Sequence, residues 1–266
     1  MTTPTAAHTP RAAVADPVAS RGRSLARAVL AQTRTELKLT LRRGESLLIT
    51  IIVPVVLLAF FASLRFVPAG AGAPITYLLP GILALAIMST GMVSLGIATA
   101  YERYYGVLKR LGSSPLPRGG LLLAKGLSVL GIEIVQTLLL VALAIFGYGW
   151  RPAGSFWAAL LVIVLGSAAF AGLGMLMAGA LRAEATLAGA NGLFLIFLML
   201  GGGILPIDHL PGFLQATASV LPAAALTTAL RAAMTPGGAV PLGALALLAG
   251  WAVIFLGAAA TTFKWE

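Results

Sequence analysis

The sequence predicts an all-α integral membrane protein with six transmembrane helices, and three observations lead to this fold class. Hydrophobic residues make up 59% of the 266-residue chain and charged residues only 10%, which is too little polar surface to cover a globule in water. Long apolar stretches recur along the chain. The 18 basic residues lie mainly in the gaps between those stretches, where they set membrane topology and contact anionic lipid headgroups. A water-soluble enzyme is excluded.

The segment before the first apolar stretch divides into two parts. Residues 1–20 are rich in Ala, Thr and Pro without an apolar period, which predicts a disordered tail. Residues 21–45 predict an amphipathic interfacial helix, because five basic side chains share one stripe: Arg23, Arg27, Arg34, Lys38 and Arg42. Such a helix lies on cytoplasmic headgroups, or it is a solvated helix whose arginines only enforce orientation.

Residues 46–266 form the predicted transmembrane domain. A crossing needs about 20 residues at a helical rise of about 1.5 Å. Six stretches qualify by length or apolarity, at 47–67, 76–100, 119–147, 156–181, 187–205 and 240–262. With the N-terminus inside, fifteen basic residues fall on the inner side and three on the outer side. This bias predicts that both termini are cytoplasmic.

The chain between the fifth and sixth spans does not fit a simple crossing. Three glycines, 201–203, end a helix, and four prolines divide the following residues into short pieces. The piece 223–234 would cover only about 18 Å as a helix, which is too short to cross. We therefore predict two short re-entrant helices in the outer leaflet, with Asp208 capping the first.

Two charged residues fall within the third predicted span. Lys125 follows Arg118 by seven residues, close enough for its side chain to extend to the inner headgroups. Glu133 lies about 12 Å deeper, and Gln136 and Thr137 follow it by one helical turn, so the three predict a polar patch facing the bundle interior. Two roles remain open for Glu133. It contacts substrate or coupling water, or it ties helices together by hydrogen bonds.

Span four and span five carry two further patterns. Span four has small residues at close-packing spacing, which predicts tight contact with neighbouring helices: Ala168, Gly172, Gly174 and Ala178. Span five has Asn191, Phe194 and Phe197, which either pack in the core or form a wall facing substrate.

No sequence pattern of a catalytic or nucleotide site is present. The chain lacks the GxxxxGK[ST] phosphate loop, the HExxH zinc motif and the GxSxG elbow, and His8 and His209 lie far apart. It has no cysteine for a thiolate metal site. Its basic residues are not interleaved with aromatics as in nucleic-acid-binding proteins. We expect no catalytic residue, metal site, cofactor or nucleic-acid partner in this chain.

The loop after span two is the most distinctive stretch, YERYYGVLKRLGSSPLPRGGLLLAK. Four charged residues surround three apolar ones in a short amphipathic helix: Glu102, Arg103, Lys109 and Arg110 around Val107, Leu108 and Leu111. Gly112 bounds the helix, and Pro115 and Pro117 stop it. This charged and apolar face suits docking of a cytoplasmic partner.

The chain resembles the ABC-2 type permeases, the membrane halves of exporters powered by a separate ATPase. One shared motif is E-R-x-x-G-x-L-x-R-L-x-x-[ST]-P-L, from Glu102 to Leu116, followed by Lys125 early in span three. The other is I-L-P-x-x-x-L-P-x-[FW]-L-Q, from Ile204 to Gln215, followed by Leu221-Pro222 and Leu230-Arg231. One departure is the tyrosine pair 104–105, where a shorter charged sequence is more usual.

The resemblance implies a homodimer or pseudo-dimer of six-helix units, each engaging one ATPase subunit that binds ATP and Mg²⁺. It implies a coupling helix formed by Glu102, Arg103, Gly106, Leu108, Lys109, Arg110, Leu111, Ser114 and Pro115. It implies an extracellular gate at Gly202, Leu205, Pro206, Asp208 and Pro211. Spans two and five would line the substrate path with Met88, Met92, Asn191, Phe194 and Phe197, to which the polar patch adds Glu133.

These inferences lead to a permease subunit of an ATP-driven exporter in the bacterial cytoplasmic membrane. A path of Met, Leu, Phe and small residues favours hydrophobic or amphipathic cargo, either drug-like or lipid-like. Export of a polysaccharide or glycolipid is the alternative cargo. Two other classes remain: an ion-coupled secondary transporter, disfavoured because no inverted repeat is visible, and a membrane enzyme such as a lipid transferase, which would need acidic or histidine clusters.

Overall fold

The computed structural model describes residues 17–42, 44–64, 74–111, 117–204 and 206–262, and within these ranges it contains helices and no strand. The helices are α1 (Pro17–Arg42), α2 (Gly44–Ser63), α3 (Pro74–Met88), α4 (Leu95–Tyr104), α5 (Val107–Leu111), α6 (Arg118–Tyr148), α7 (Phe156–Ala180), α8 (Ala183–Leu200), α9 (Gly212–Val220), α10 (Pro222–Met234) and α11 (Leu242–Thr262). A π-helical turn, Ser89–Ser94, joins α3 to α4, and a 3-10 turn, Ile207–His209, precedes α9.

Five helical stretches in the described ranges are long and apolar enough to cross a membrane: Pro74–Tyr104, Arg118–Tyr148, Phe156–Ala180, Ala183–Leu200 and Leu242–Thr262. The pair α9–α10 would make a sixth if its 80° bend is counted within one span. The first predicted span, 47–67, falls on α2, whose apolar part Thr50–Ser63 is shorter than a full crossing. Its last three residues lie outside the described ranges. The prediction of an all-helical chain with several membrane-crossing helices is confirmed.

The continuous helix formed by α3, the π-turn and α4 lies at the centre of the bundle. Most of its side chains are buried, and it packs against α7, α6 and α10. The core around it is built from Leu, Ile and Met side chains such as Ile82, Ile87 and Met88. Such a helix, apolar on all sides, is stable only when other helices surround it.

Glycines let α7 approach two neighbours closely. A Cβ on Gly174 would lie 2.5 Å from the carbonyl oxygen of Gly91 in the π-turn. A Cβ on Gly172 would lie 3.0 Å from the backbone nitrogen of Leu256 on α11. Backbone contact of this kind allows dense van der Waals packing between helices in a membrane. The close packing predicted from the small residues of span four is therefore confirmed.

Helix α1 packs along α6 rather than standing apart from the bundle. Val29 and Glu36 are buried on the side facing the bundle. The basic residues of the predicted stripe whose side chains are described are exposed on the opposite side: Arg27, Arg34, Lys38 and Arg42. The amphipathic helix begins at Pro17, four residues before the predicted start.

The segment between α8 and α11 breaks where its glycines and prolines predict. Helix α8 ends at the glycine triplet, and Gly202 has φ +69°, a left-handed conformation that favours glycine. Helix α10 begins with Pro222 in its first turn, where a missing N–H is tolerated. The prediction that Asp208 caps the first helix is wrong. Asp208 lies in the 3-10 turn, whereas the N-cap of α9 is Pro211 and no side chain forms a capping hydrogen bond there.

Candidate functional site

Lys125 is the centre of a buried charge cluster at the α5 end of the bundle. Its Nζ atom donates to Oε2 of Glu102 at 2.6 Å and to Oε2 of Glu36 at 3.1 Å. We call Glu36, Glu102 and Lys125 the charge cluster; it connects α1, α4 and α6. Lys125 is 1% exposed, so the expectation that its side chain extends to the headgroups is wrong. Pairing inside the bundle compensates the desolvation of the ammonium group.

Arg103, the neighbour of Glu102, anchors the same end of α4 to a different helix. Its Nη1 atom donates to the carbonyl oxygen of Gly179 at 2.6 Å, and Nη2 donates to that of Leu181. Both carbonyls lie at the C-terminus of α7, where a cation is favourable because of the helix dipole. Two residues expected to form the charged rim of the coupling helix therefore hold α4 to the bundle.

Helix α5 is separated from α4 by a turn at Gly106, whose φ of +70° suits glycine. Leu108 is fully buried in a cluster with Leu95, Leu121 and Val129 of this chain. It is therefore unavailable for insertion into a partner, contrary to the expectation that Leu108 belongs to an exposed apolar knob.

The surface at this turn is formed by four exposed side chains, Tyr104, Tyr105, Val107 and Lys109, which we call the docking surface. Tyr104 and Tyr105 are 65% and 69% exposed, with ring centroids 5.1 Å apart. Exposed aromatic patches of this kind are typical of protein interfaces. The described ranges exclude Ser114 and Pro115 and the side chains of Arg110 and Leu111, so these predicted coupling residues lie outside them.

A cavity of about 550 Å³ opens beside the charge cluster, between α1, α4 and α6. Glu36, Glu102 and Lys125 line it, together with Tyr101, Tyr105 and several serine and threonine side chains. The docking surface and the charge cluster therefore lie next to the same cavity.

The polar patch predicted on α6 divides into two parts. Gln136 is a tie between helices, because Nε2 donates to the carbonyl oxygen of Thr50 at 2.8 Å and Oε1 accepts from Thr90 at 3.0 Å. Glu133 is 1% exposed, yet its carboxylate oxygens accept no hydrogen bond from the described residues. The Ser167 hydroxyl on α7 lies beside this carboxyl group, within reach as a donor.

The residues expected along the substrate path fall into two groups. Met88 and Met92 are 0% exposed in the core of the chain, and Phe197 packs edge-on against Phe170 at 5.8 Å. Phe194 is half-buried and Asn191 is exposed, its side chain bonded to its own helix at the carbonyl of Leu187. Of these residues Asn191 therefore faces away from the core, whereas Phe194 packs against its edge. Both lie on α8, which also has a long exposed apolar face formed by Leu187, Leu195, Ile196 and Met199.

Arg231 holds the opposite end of the bundle together. Its Nη2 atom donates to the carbonyl oxygens of Gly202 at 2.6 Å and Gly203 at 3.2 Å, and its guanidinium carbon lies 3.8 Å from the ring centroid of Tyr77. We call this arrangement the latch; it connects α10, the end of α8 and α3. The sequence placed Arg231 in the second motif and on the outer side but predicted no role for it, although a basic residue in an otherwise apolar helix is a signal for one.

The residues predicted for the gate lie around the latch in different environments. Gly202 is buried and takes part in the latch directly. Pro206 is half-buried, Asp208 and Pro211 are exposed, and Leu205 lies outside the described residues. Gln215 fastens the 3-10 turn, because its Nε2 atom donates to the carbonyl oxygens of Asp208 and Leu210.

Comparison with known proteins agrees with the helical architecture. The family model described as ABC-2 type transporter matches residues 27–235. A protein of Bacillus subtilis described as a transport permease, YvfS, is 26% identical over 204 residues, covering 72% of this chain and 79% of that protein. A protein of Escherichia coli described as a multidrug ABC transporter permease, YbhS, is 25% identical over 186 residues, covering 68% of this chain. The matched region spans 49% of YbhS, about half its length.

Proposed function

Because the chain belongs to the ABC-2 type transporter family, we propose that it exports hydrophobic or amphipathic molecules from the bacterial cytoplasm or inner leaflet. Members of this family are multi-pass membrane permeases of ABC transporters. The chain is therefore a transport component that works with an ATPase partner and is not itself catalytic. In the proposal, that partner binds ATP and Mg²⁺, and both termini of the permease are cytoplasmic.

The α4–α5 turn is the proposed contact with the ATPase. The observation that supports this is that the end of α4 is bonded to two other helices. The docking surface is exposed, while the residues just before it are held by Lys125 and by the C-terminus of α7. Movement of a turn that is bonded to several helices displaces those helices. A flexible loop would instead deform without moving them. ATPase closure would therefore move α4, α6 and α7 together.

The proposed substrate path runs between two copies of the chain, along the exposed face of α8. That face is apolar except for Asn191, and Phe194 lies at its edge. Met88 and Met92 are buried within one copy, so the path proposed here does not require them. An apolar path fits a drug-like or lipid-like cargo, and the description of YbhS as a multidrug permease supports the same class.

At the other end of the bundle, we propose that the latch and the α9–α10 pair form the extracellular gate. In this element the helices α9 and α10 are the rigid parts. The glycine triplet before them and the 80° bend between them are the positions that would act as hinges. Opening would require Arg231 to release the carbonyl oxygens of Gly202 and Gly203.

Transport measured in proteoliposomes tests the proposed function. The permease is reconstituted with its ATPase subunit, and efflux of a lipophilic dye is followed with ATP, with a non-hydrolysable analogue, and with an imposed proton or sodium gradient. We expect transport only with hydrolysable ATP. Transport driven by an ion gradient without ATP would instead support a secondary transporter.

A further inference from the structure

The cavity beside the charge cluster follows a stripe of the continuous helix formed by α3, the π-turn and α4. Within Leu78–Glu102, every residue that is not buried also lines this cavity. These residues recur every three or four positions, from Ser89 through Val93 and Ile97 to Tyr101, so they lie on one face. At the rise of an α-helix, the stripe extends about 20 Å from the charge cluster into the bundle. None of the lining residues belongs to α8, so the cavity lies apart from the proposed substrate path.

The cavity changes in character along this stripe. At the α5 end its wall is formed by the charge cluster and by Tyr101 and Tyr105. Farther from that end, apolar side chains such as Val93, Ile97 and Ile132 lie among serine and threonine hydroxyl groups. A ligand that matches this space therefore has a polar group at one end and a largely apolar body, which makes it an amphiphile.

The charge cluster determines which polar group fits. Among the described lining residues, the charged side chains are the carboxylates of Glu36 and Glu102 and the ammonium group of Lys125, which donates to both. Glu36 accepts from Lys125 and from Gln32, and a carboxylate can accept about four hydrogen bonds. The side chains of Glu36 and Glu102 remain 10% and 12% exposed, so a ligand atom can reach them. Two carboxylates at this end disfavour an anionic group and favour a cationic one.

The neighbouring lining groups add acceptors and aromatic faces. The hydroxyl groups of Thr40 and Ser128 donate to backbone carbonyl oxygens of their own helices, at 3.0 and 2.8 Å, which leaves their oxygen lone pairs as acceptors. The rings of Tyr101 and Tyr105 are stacked, with centroids 6.2 Å apart. Because the face of an aromatic ring attracts a cation, these groups favour a positively charged hydrogen-bond donor.

We propose that this cavity binds an amphiphilic organic cation, with its ammonium group beside Glu36, Glu102 and Tyr101 and its hydrocarbon chain along the stripe. An ammonium group matches the charged end because it supplies three N–H donors and a positive charge. The apolar side chains of the walls bury the hydrocarbon chain. This site goes beyond the proposed export function, and its test needs neither ATP nor transport, so the two proposals can fail separately.

Equilibrium binding tests the site in the full-length permease reconstituted in phosphatidylcholine nanodiscs. The probe is radiolabelled dodecylamine, and empty nanodiscs give the background for partition into lipid. Dodecanol and dodecanoate are the uncharged and the anionic analogues. We expect saturable, stoichiometric binding of dodecylamine alone. Equal saturable binding of either analogue, or no saturable binding of dodecylamine, would overturn the proposal.

Two pairs of variants locate the site. Ala98 lies on the stripe, so Ala98→Phe should abolish saturable binding by filling the cavity. Ala246→Phe, at an exposed position of α11 outside the cavity, is the matched control and should bind like the wild type. Tyr101→Leu should weaken binding about two- to thirty-fold, whereas Tyr101→Phe, which keeps the ring, should not. Wild-type affinity in Ala98→Phe or Tyr101→Leu, or equal loss in the two controls, contradicts the proposal.

The contribution of the charge is measured with Glu36→Gln. This variant should weaken dodecylamine binding about ten-fold or more, because a charge-assisted hydrogen bond is lost. Unchanged affinity in the folded variant would show that the carboxylate does not hold the ammonium group.

Photolabelling of the wild-type chain covers the case in which Glu36→Gln does not fold. The probe is a dodecylamine analogue with a diazirine on its chain, and mass spectrometry identifies the labelled residues. We expect labelling of the stripe and of the α6 residues that line the cavity, including Val129 and Ile132. Excess dodecylamine, but not dodecanol, should prevent it. Labelling confined to residues outside the cavity would overturn the proposal.

Discussion

Lys125 shows at the scale of one residue how a buried charge connects helices that are distant in sequence. Its ammonium group lies between carboxylates of α1 and α4, and the side chains of Glu36 and Glu102 are themselves only 10% and 12% exposed. Removing one member of such a cluster leaves the opposite charges buried without compensation. The arrangement is therefore sensitive to single substitutions.

Lys125→Met should destabilise the permease by about 3–5 kcal/mol, since two buried carboxylates lose their common partner. The matched control is Lys109→Met at an exposed position, which should change stability by less than about 0.5 kcal/mol. Denaturant unfolding in mixed micelles measures both. Adding Glu36→Gln and Glu102→Gln to Lys125→Met should recover much of the loss. Without any recovery, the effect would not come from the buried charges.

Arg231 is the second residue whose contacts decide the position of a whole segment. Arg231→Met should cost about 1.5–3 kcal/mol, because a charged donor leaves the carbonyl oxygens of Gly202 and Gly203 and the ring of Tyr77. It should also speed protease cleavage between α8 and α9. Thr235→Ala is the control, since its hydroxyl bonds only within its own segment. Equal cleavage rates in the wild type and in Arg231→Met would show that the latch does not hold the segment between α8 and α9 in place.

At the scale of the element, α5 has an outer side and an inner side that differ in role. Val107 is 42% exposed on the docking surface, whereas the next residue, Leu108, is fully buried. Arg103 and Glu102 fix the preceding helix from two directions, to α7 and to α6. The exposed side of α5 is thus available to a partner while its buried side holds it in place.

Substitutions on the two sides of α5 should have different effects. Val107→Asp should weaken co-purification with the ATPase about ten-fold or more while the permease remains folded, because an apolar contact is replaced by a charge. Leu108→Asp should instead destabilise the permease, since it places a carboxylate in an apolar cluster. Thermal unfolding separates the two results. Normal ATPase binding and coupled transport in Val107→Asp would contradict the proposed docking surface.

At the scale of the whole molecule, the two ends of the bundle carry different chemistry. The α5 end has the charge cluster, the docking surface and the exposed basic residues of α1. The α10 end has the half-buried Arg231, which is bonded to backbone carbonyls. Basic residues concentrate on the cytoplasmic side of membrane proteins, which supports the proposal that the α5 end lies on that side.

Cysteine labelling in intact cells tests this orientation on the naturally cysteine-free chain. A cysteine at Ala69 or Ala153 should react with a membrane-impermeant maleimide from outside. One at Ser113 should react only after the membrane is permeabilised. External labelling of Ser113 would reverse the assignment and place the proposed ATPase contact on the wrong side.

Sequence by itself determined the fold class, the helix breaks and the family resemblance. These depend on local properties: apolar runs long enough for a bilayer, glycines and prolines that interrupt helices, and short motifs read in order. The close packing of α7 could also be predicted, because small residues at helical spacing have one main structural consequence.

Only the tertiary structure decided which partner each polar side chain has. Lys125 and Glu36 are 89 positions apart, and Arg231 and Gly202 are 29 apart, so helical periodicity places each on a face without indicating what that face meets. The same limit applies to Leu108, whose burial depends on the apolar cluster that it shares with residues of other helices such as Leu95 and Leu121. Contacts between distant segments depend on how helices pack, which the local sequence of any one helix does not specify.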